Sequence, residues 1–149
     1  YYLDKYLFAT QPDVLAALGE SFAGVVKRLD QPVDRLAGPE LGGVPLVTAA
    51  ALATGLPMVL VRNAKKDYGT AKRFEGVLKP GDRVLITEDI ATSGGQSIEA
   101  ARLLRDEVGA DVVKVVVVID REEGAREAIE AAGFAFEALF TKSDLGIAE

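Results

Sequence analysis

Two carboxylates stand side by side at Glu88 and Asp89, and the chain then turns through Ala91-Thr92-Ser93-Gly94-Gly95. These residue types suit two different tasks. Small residues let backbone N–H groups come close to an anion, and the two hydroxyls add donors. Carboxylates repel a phosphate, but they accept hydrogen bonds from sugar hydroxyls or face a magnesium ion carried with phosphates. The combination predicts a ligand with a phosphate at one end and hydroxyls or a metal at the other. A ribose phosphate meets both demands. The plain alternative is an ordinary strand-to-helix turn with a capped helix, and the glycines alone favour it. The acidic pair directly before the loop tips the balance toward a ligand site.

The flanking residues supply the elements that would hold this stretch. Val84-Leu85-Ile86 is an apolar run without polar alternation, as in a strand buried on both faces. Ile98, Ala101, Leu104 and Val108 follow with helical spacing, predicting a helix from Ser97 to Val108. Strand, tight loop and helix place an anion at a helix N-terminus, on the carboxyl edge of an open α/β sheet.

The rest of the chain fits such a sheet. Tyr1 to Phe8 reads as a short strand or an extended arm, and Thr10 as the N-cap of a helix carrying Pro12 in its first turn. Leu15, Leu18, Phe22, Val25, Val26 and Leu29 form that helix's apolar face. A short strand from Val33 to Gly38 leads into a second glycine-rich turn ending at Pro45, then a small-residue helix through Ala49 to Gly55. Met58 to Arg62 is a buried strand. Asn63 to Gly76 breaks the rhythm and carries Lys65, Lys66, Lys72 and Arg73. So long a connection reads as a lid over a phosphate site or as a solvated hairpin. Val112 to Asp120 is a central strand ending at Asp120-Arg121, followed by a short helix from Gly124 to Ala132 and a last strand from Phe134 to Phe140. Strands alternating with helices predict a mostly parallel twisted sheet with helices on both faces.

Composition narrows the function. The 149 residues suggest one domain over 1–149, and 49% hydrophobic content gives it a core. A formal charge of -6, from 17 basic and 23 acidic residues with no basic run, gives nucleic-acid binding little support. Neither Cys nor His occurs, so thiolate chemistry, imidazole bases and ordinary zinc sites are excluded. No apolar stretch reaches the length of a membrane span, which predicts no membrane partner and a cytoplasmic location. The start at Tyr1, inside a patterned segment, predicts further residues upstream.

The stretch Val84 to Gly95 resembles the phosphoribosyl-diphosphate (PRPP) signature of type I phosphoribosyltransferases, an apolar strand followed by two acids and a Thr/Ser-Gly loop. Over nearly its whole length the chain is similar to orotate phosphoribosyltransferases. Tyr2-Leu3-Asp4-Lys5 resembles the end of their orotate-binding segment, Gly38 to Pro45 their diphosphate loop, Arg62 to Gly69 their mobile catalytic loop, and Asp120 to Gly124 their Asp-Arg-x-Glu segment. The resemblance implies a Rossmann-like fold and transfer of a phosphoribosyl group from PRPP to orotate. It implies that Glu88, Asp89, Ala91, Thr92, Ser93, Gly94 and Gly95 bind the ribose and its 5′-phosphate, with Arg62, Lys65 and Lys66 on the diphosphate. Lys66 and Asp89 would be the catalytic residues, and Tyr2, Thr92 and Arg121 would contact orotate. Mg2+ would arrive with PRPP, near Glu88 and Asp89. A homodimer sharing its lid across the interface is implied as well.

Three departures accompany the likeness. Asn63 stands where the family commonly has lysine, Tyr68 where it commonly has histidine, and Gly42 where a lysine is often found. They keep two alternatives open: a phosphoribosyltransferase for another base, and a non-catalytic PRPP- or nucleotide-sensing module.

Overall fold

The computed structural model describes residues 5–63 and 73–146. Six strands form one sheet in the order β3-β2-β1-β4-β5-β6. Their bounds are Arg35–Pro39 (β1), Met58–Val61 (β2), Phe74–Glu75 (β3), Arg83–Ala91 (β4), Asp111–Asp120 (β5) and Phe136–Thr141 (β6). Every pairing is parallel except that of β3 with β2. The chain builds outward from β1 through β2 to β3, then returns to lay β4, β5 and β6 on the other side. The reversal falls between β1 and β4. A doubly wound sheet opens its ligand crevice at the carboxyl ends of such a strand pair.

Helices cover both faces, as the strand–helix alternation predicts. Pro12–Arg28 (α2) and Gly43–Thr54 (α3) pack on one face, where Phe22, Val25, Leu46 and Val47 meet Leu36, Leu85 and Val116. Gly95–Leu103 (α4) and Ala125–Ala131 (α5) pack on the other, where Ala100 and Ile129 meet Val84, Ile86 and Val115. Successive β4 side chains point to opposite faces, so Leu85 joins one core while Val84 and Ile86 join the other. The small residues of α3 have a packing reason. A Cβ on Gly19 of α2 would lie 2.7 Å from the Ala49 carbonyl oxygen, so these two helices meet backbone to backbone.

Four local readings are corrected. The aromatic opening is a short helix, Lys5–Ala9 (α1), where a strand or arm was expected. The Thr10 hydroxyl donates back to the Tyr6 carbonyl at 2.5 Å and closes this helix. Gln11 takes the N-cap position of α2, with Pro12 supplying the preset first turn. The strand β3 lies inside the segment read as one long connection, because two residues are too few to carry a period. The helix expected to begin at Ser97 begins at Gly95 and ends in a π-helical turn, Leu104–Val108.

The amino end of the sheet is tied by charge. The Asp82 carboxylate accepts from the Lys79 backbone N–H at 2.8 Å and from Arg35 Nε at 2.9 Å, joining the turn before β4 to β1. These two donors, the Lys79 N–H first, hold its pKa below the ordinary aspartate value. Glu137 on β6 also titrates low. Burial alone would raise it, but hydrogen bonds from Arg28 and Lys114 overcome that penalty. Both carboxyls therefore contribute stability that is complete above the ordinary carboxylate range and is lost as pH falls through their lowered folded-state values. Replacing Asp82 with Ala should cost about 1–2 kcal/mol at neutral pH. Urea unfolding at a series of pH values should show the gap to the parent closing in acid; a gap that stays constant below pH 4, on the order of the aspartate pKa, would contradict this.

Candidate active site

Glu88 and Asp89 lie near the carboxyl end of β4, 4% and 3% exposed, although they are carboxylates. Part of their charge is met locally. The Asp89 N–H donates to Glu88 Oε1 at 3.1 Å, and the Ile90 N–H donates to Asp89 Oδ1 at 2.6 Å. Adjacent strand residues point to opposite sides, and the acidic pair divides accordingly. Glu88 lines a cleft of about 520 Å³ together with Ala91, Thr92, Ser93, Gly94, Gly95 and Arg121. Asp89 is turned against the loop that follows β1, with its carboxylate beside Gly42.

The loop over the cleft is built for close approach. Gly94 takes φ 86°, and a Cβ there would come within 3.3 Å of Ala125 and 3.1 Å of Ile129. Left-handed backbone and lack of room both call for glycine. The Ser93 hydroxyl accepts the Gly95 N–H at 3.4 Å. Gly95, Gln96 and Ser97, the first turn of α4, all line the cleft. Helix N-terminal N–H groups and the axial dipole there favour an anion.

Arg121 enters the cleft from the next strand. Ala91 pairs in register with Asp120, and the Arg121 N–H donates to the Ala91 carbonyl at 3.0 Å. The following turn is fixed by side chains. Buried Asp120 accepts the Glu122 N–H at 2.9 Å, and Glu122, held at φ 61°, accepts both the hydroxyl and the N–H of Ser143. The Ser143 hydroxyl, then its N–H, lower the Glu122 pKa, so this carboxyl remains an anion in mild acid. Arg121 Nε also pairs with Glu123 Oε2 at 3.0 Å. The guanidinium is therefore engaged in an ion pair at the rim while it lines the cleft.

The structure brings together Glu88, Ala91, Thr92, Ser93, Gly94, Gly95 and Arg121. It sets Arg62 apart, in a smaller neighbouring pocket with Glu40, Asn63 and Arg73; Gln96 borders both spaces. Arg62 pairs with Glu75 at 3.5 Å, and its N–H donates to the Arg73 carbonyl at 2.8 Å. Tyr2, Lys65, Lys66 and Tyr68 lie outside the described residues. Tyr6, which the sequence reading passed over, lines the cleft beside Arg121. Its place in an aromatic run was visible, but its direction depended on α1 being helical. The supporting pair Glu122 and Ser143 was missed too, since a contact between turns far apart in sequence leaves no local pattern.

Among the described residues no group of three or more acidic side chains gathers to cage a metal. One or two carboxylates at the end of β4 are what magnesium needs when phosphates and water supply its other ligands. The donor set thus fits a metal delivered with a phosphorylated ligand. No helix among the described residues is long and apolar enough to cross a membrane.

Comparison with known proteins agrees with this geometry. The phosphoribosyl transferase domain family matches residues 8–141. An orotate phosphoribosyltransferase of Halobacterium salinarum is 48% identical over 149 residues, spanning 100% of this chain and 82% of that protein. One from Pyrococcus abyssi is 46% identical over 145 residues, spanning 97% of this chain and 79% of the other. The crystal structure of Mycobacterium tuberculosis orotate phosphoribosyltransferase in complex with PRPP superposes with a TM-score of 0.83 at 32% identity, covering 99% of this chain and 85% of that one. A phosphoribosyl transferase domain spanning most of the chain, and relatives of this identity and coverage, establish that the chain belongs to the orotate phosphoribosyltransferases.

Proposed function

We propose that this protein transfers the phosphoribosyl group of PRPP to orotate, forming orotidine 5′-monophosphate and releasing diphosphate, a step of pyrimidine nucleotide synthesis. The observation that carries the reading is the single cleft into which Glu88, the Thr92–Gly95 loop on the first turn of α4, and Arg121 all open. An acid, an anion cradle and a guanidinium match the ribose hydroxyls, the 5′-phosphate and the carboxylate of orotate.

Each group has a role in the transfer. The α4 N-terminus, with Thr92 and Ser93, holds the 5′-phosphate and fixes the sugar. Glu88 and Asp89 flank the ribose at the end of β4. Arg121 grips the orotate carboxylate with its planar fork, exchanging Glu123 for the substrate. Orotate then attacks the anomeric carbon through a ring nitrogen as the bond from that carbon to the diphosphate oxygen breaks. The ring nitrogen releases its proton to solvent or to the departing diphosphate as the new bond forms, so the step needs no imidazole base, and the chain has none. Positive charge that develops on the ribose lies near buried carboxylates, whose fixed positions stabilise it without reorganisation. Bound magnesium supplies charge neutralisation on the diphosphate. Holding both reactants in line is worth several kcal/mol of barrier, about 7 or more in well-oriented cases.

The proposal extends to assembly and location. Copies of the chain associate as homodimers, to which exposed Leu41 and Leu52, 67% and 84% accessible, would contribute apolar surface. The enzyme works in the cytoplasm.

Orotate, PRPP and magnesium incubated with the protein should yield orotidine monophosphate, and a panel of purine and pyrimidine bases should yield far less. Turnover with another base and none with orotate would replace the substrate. PRPP binding without any turnover would make the chain a sensor. Asp89→Asn should weaken PRPP binding by about 10- to 100-fold, the loss of one charged hydrogen-bonding contact, while the circular dichroism spectrum is unchanged. Arg121→Ala should raise the KM for orotate by a similar factor and leave PRPP affinity within about twofold; Arg121→Lys, lacking the fork, should not restore it. Equal losses for both substrates would remove Arg121 from the orotate end.

A further inference from the structure

Arg121 is held through its neighbours by the turn after β6, residues 142–146. Before it, Asp120 pairs in register with Thr141, and the Asp120 carbonyl accepts the Lys142 N–H at 2.8 Å. After it, Glu122 Oε1 accepts the Ser143 hydroxyl at 2.6 Å and the Ser143 N–H at 2.7 Å. Arg121 lies between these two anchors, with its own N–H tied to Ala91 at the end of β4. The turn that receives Glu122 is itself closed. The Thr141 N–H donates to Asp144 Oδ2 at 2.9 Å, and the Asp144 N–H donates to Thr141 Oγ1 at 3.0 Å.

Glu122 takes φ 61°, a left-handed conformation that suits glycine and strains a longer residue. Backbone shape therefore gives no reason for glutamate at this position. The two hydrogen bonds from Ser143 do, and strain of this kind persists where the surroundings hold it in place. Buried Asp120 completes the hold by accepting the Glu122 N–H at 2.9 Å. Neither Glu122 nor Ser143 is among the described residues that line the cleft, whereas Arg121 is. The clamp thus reaches the cleft through the arginine. Glu123, which pairs with Arg121 Nε at 3.0 Å, follows in the same turn, so rotating the turn moves the guanidinium together with its ion-pair partner. A planar fork grips a carboxylate bidentately only when its plane is aimed.

We propose that Glu122, clamped by Ser143, is a positioning residue for Arg121: the turn after β6 sets where the guanidinium stands and so tunes recognition of the substrate carboxylate. The proposal rests on the function given above and adds to it a pair of residues that do not touch the substrate.

Glu122→Gly tests it, because glycine suits the backbone there and removes only the acceptor for Ser143. Steady-state kinetics should show the KM for orotate raised about threefold or more, with kcat and the KM for PRPP within about twofold of the parent. Ser143→Ala should do the same, and Glu122→Gln, which keeps an acceptor oxygen, should restore the parent value. In the Arg121→Ala background Glu122→Gly should change the orotate KM less than about twofold, since no guanidinium remains to be aimed. A second readout needs no substrate. The Arg121 Nε–H resonance, identified by its loss in Arg121→Lys, should shift or broaden in Glu122→Gly and return in Glu122→Gln. An orotate KM that rises less than about threefold, an equal rise for both substrates, or an unmoved resonance would overturn the positioning role. A parent that does not turn over orotate would instead refute the proposed function, and the resonance would still decide whether Glu122 positions Arg121.

Discussion

Two carboxyl side chains at the buried end of an apolar strand are the constraint on which the rest depends. Charge taken out of water is costly unless donors and counter-charges meet it. Glu88 and Asp89 are met partly by the backbone N–H groups of Asp89 and Ile90, along the strand itself. The remaining demand fixes the surroundings. One side stays open to a polar ligand through the cleft, and the other lies against the glycine-rich loop after β1. Parallel strands on both sides of β4 give the acids a rigid seat, and the reversal of strand order beside it leaves the loops free of covering helices.

That arrangement was partly visible in the sequence. Val84 to Ile86 announced a buried strand, the acids marked its end, and the spacing of Ile98 and Ala101 marked the helix after the loop. Each signal is local, carried by residues close together in the chain. The six-stranded α/β layout followed from the same kind of evidence. The contacts that define the site are not local. Gly42 meets Asp89, and Glu122 meets Ser143, only because β1, β4, β5 and β6 bring their carboxyl ends to one edge. A glycine in a turn is conspicuous, but nothing in the turn says which side chain occupies its missing volume.

The misreadings have physical origins of the same kind. An alternating aromatic run such as Tyr1 to Phe8 fits a strand by period, yet Lys5–Ala9 is helical, because a single turn can be closed by one hydroxyl and packed on α2. The two residues of β3 gain their extended form from β2 rather than from their own propensity. Arg62 illustrates the difference between a residue's place in a motif and its place in space. It falls in the stretch that resembles the family's catalytic loop, yet here it is paired with Glu75 and borders a pocket separate from the main cleft.

The short pairing of β2 with β3 has a consequence for how such a protein can change. The Arg62 N–H reaches the Arg73 carbonyl at 2.8 Å, so the two ends of the intervening segment are already side by side. When loop ends are pinned by the scaffold, lengthening or rewriting the loop alters closure entropy only logarithmically, by about 0.6 kcal/mol per doubling. The sheet is thereby insulated from what is written between residues 63 and 73. Sequence drift there disturbs folding little, while the antiparallel pair caps an otherwise open parallel edge and guards it against adding strands from other molecules.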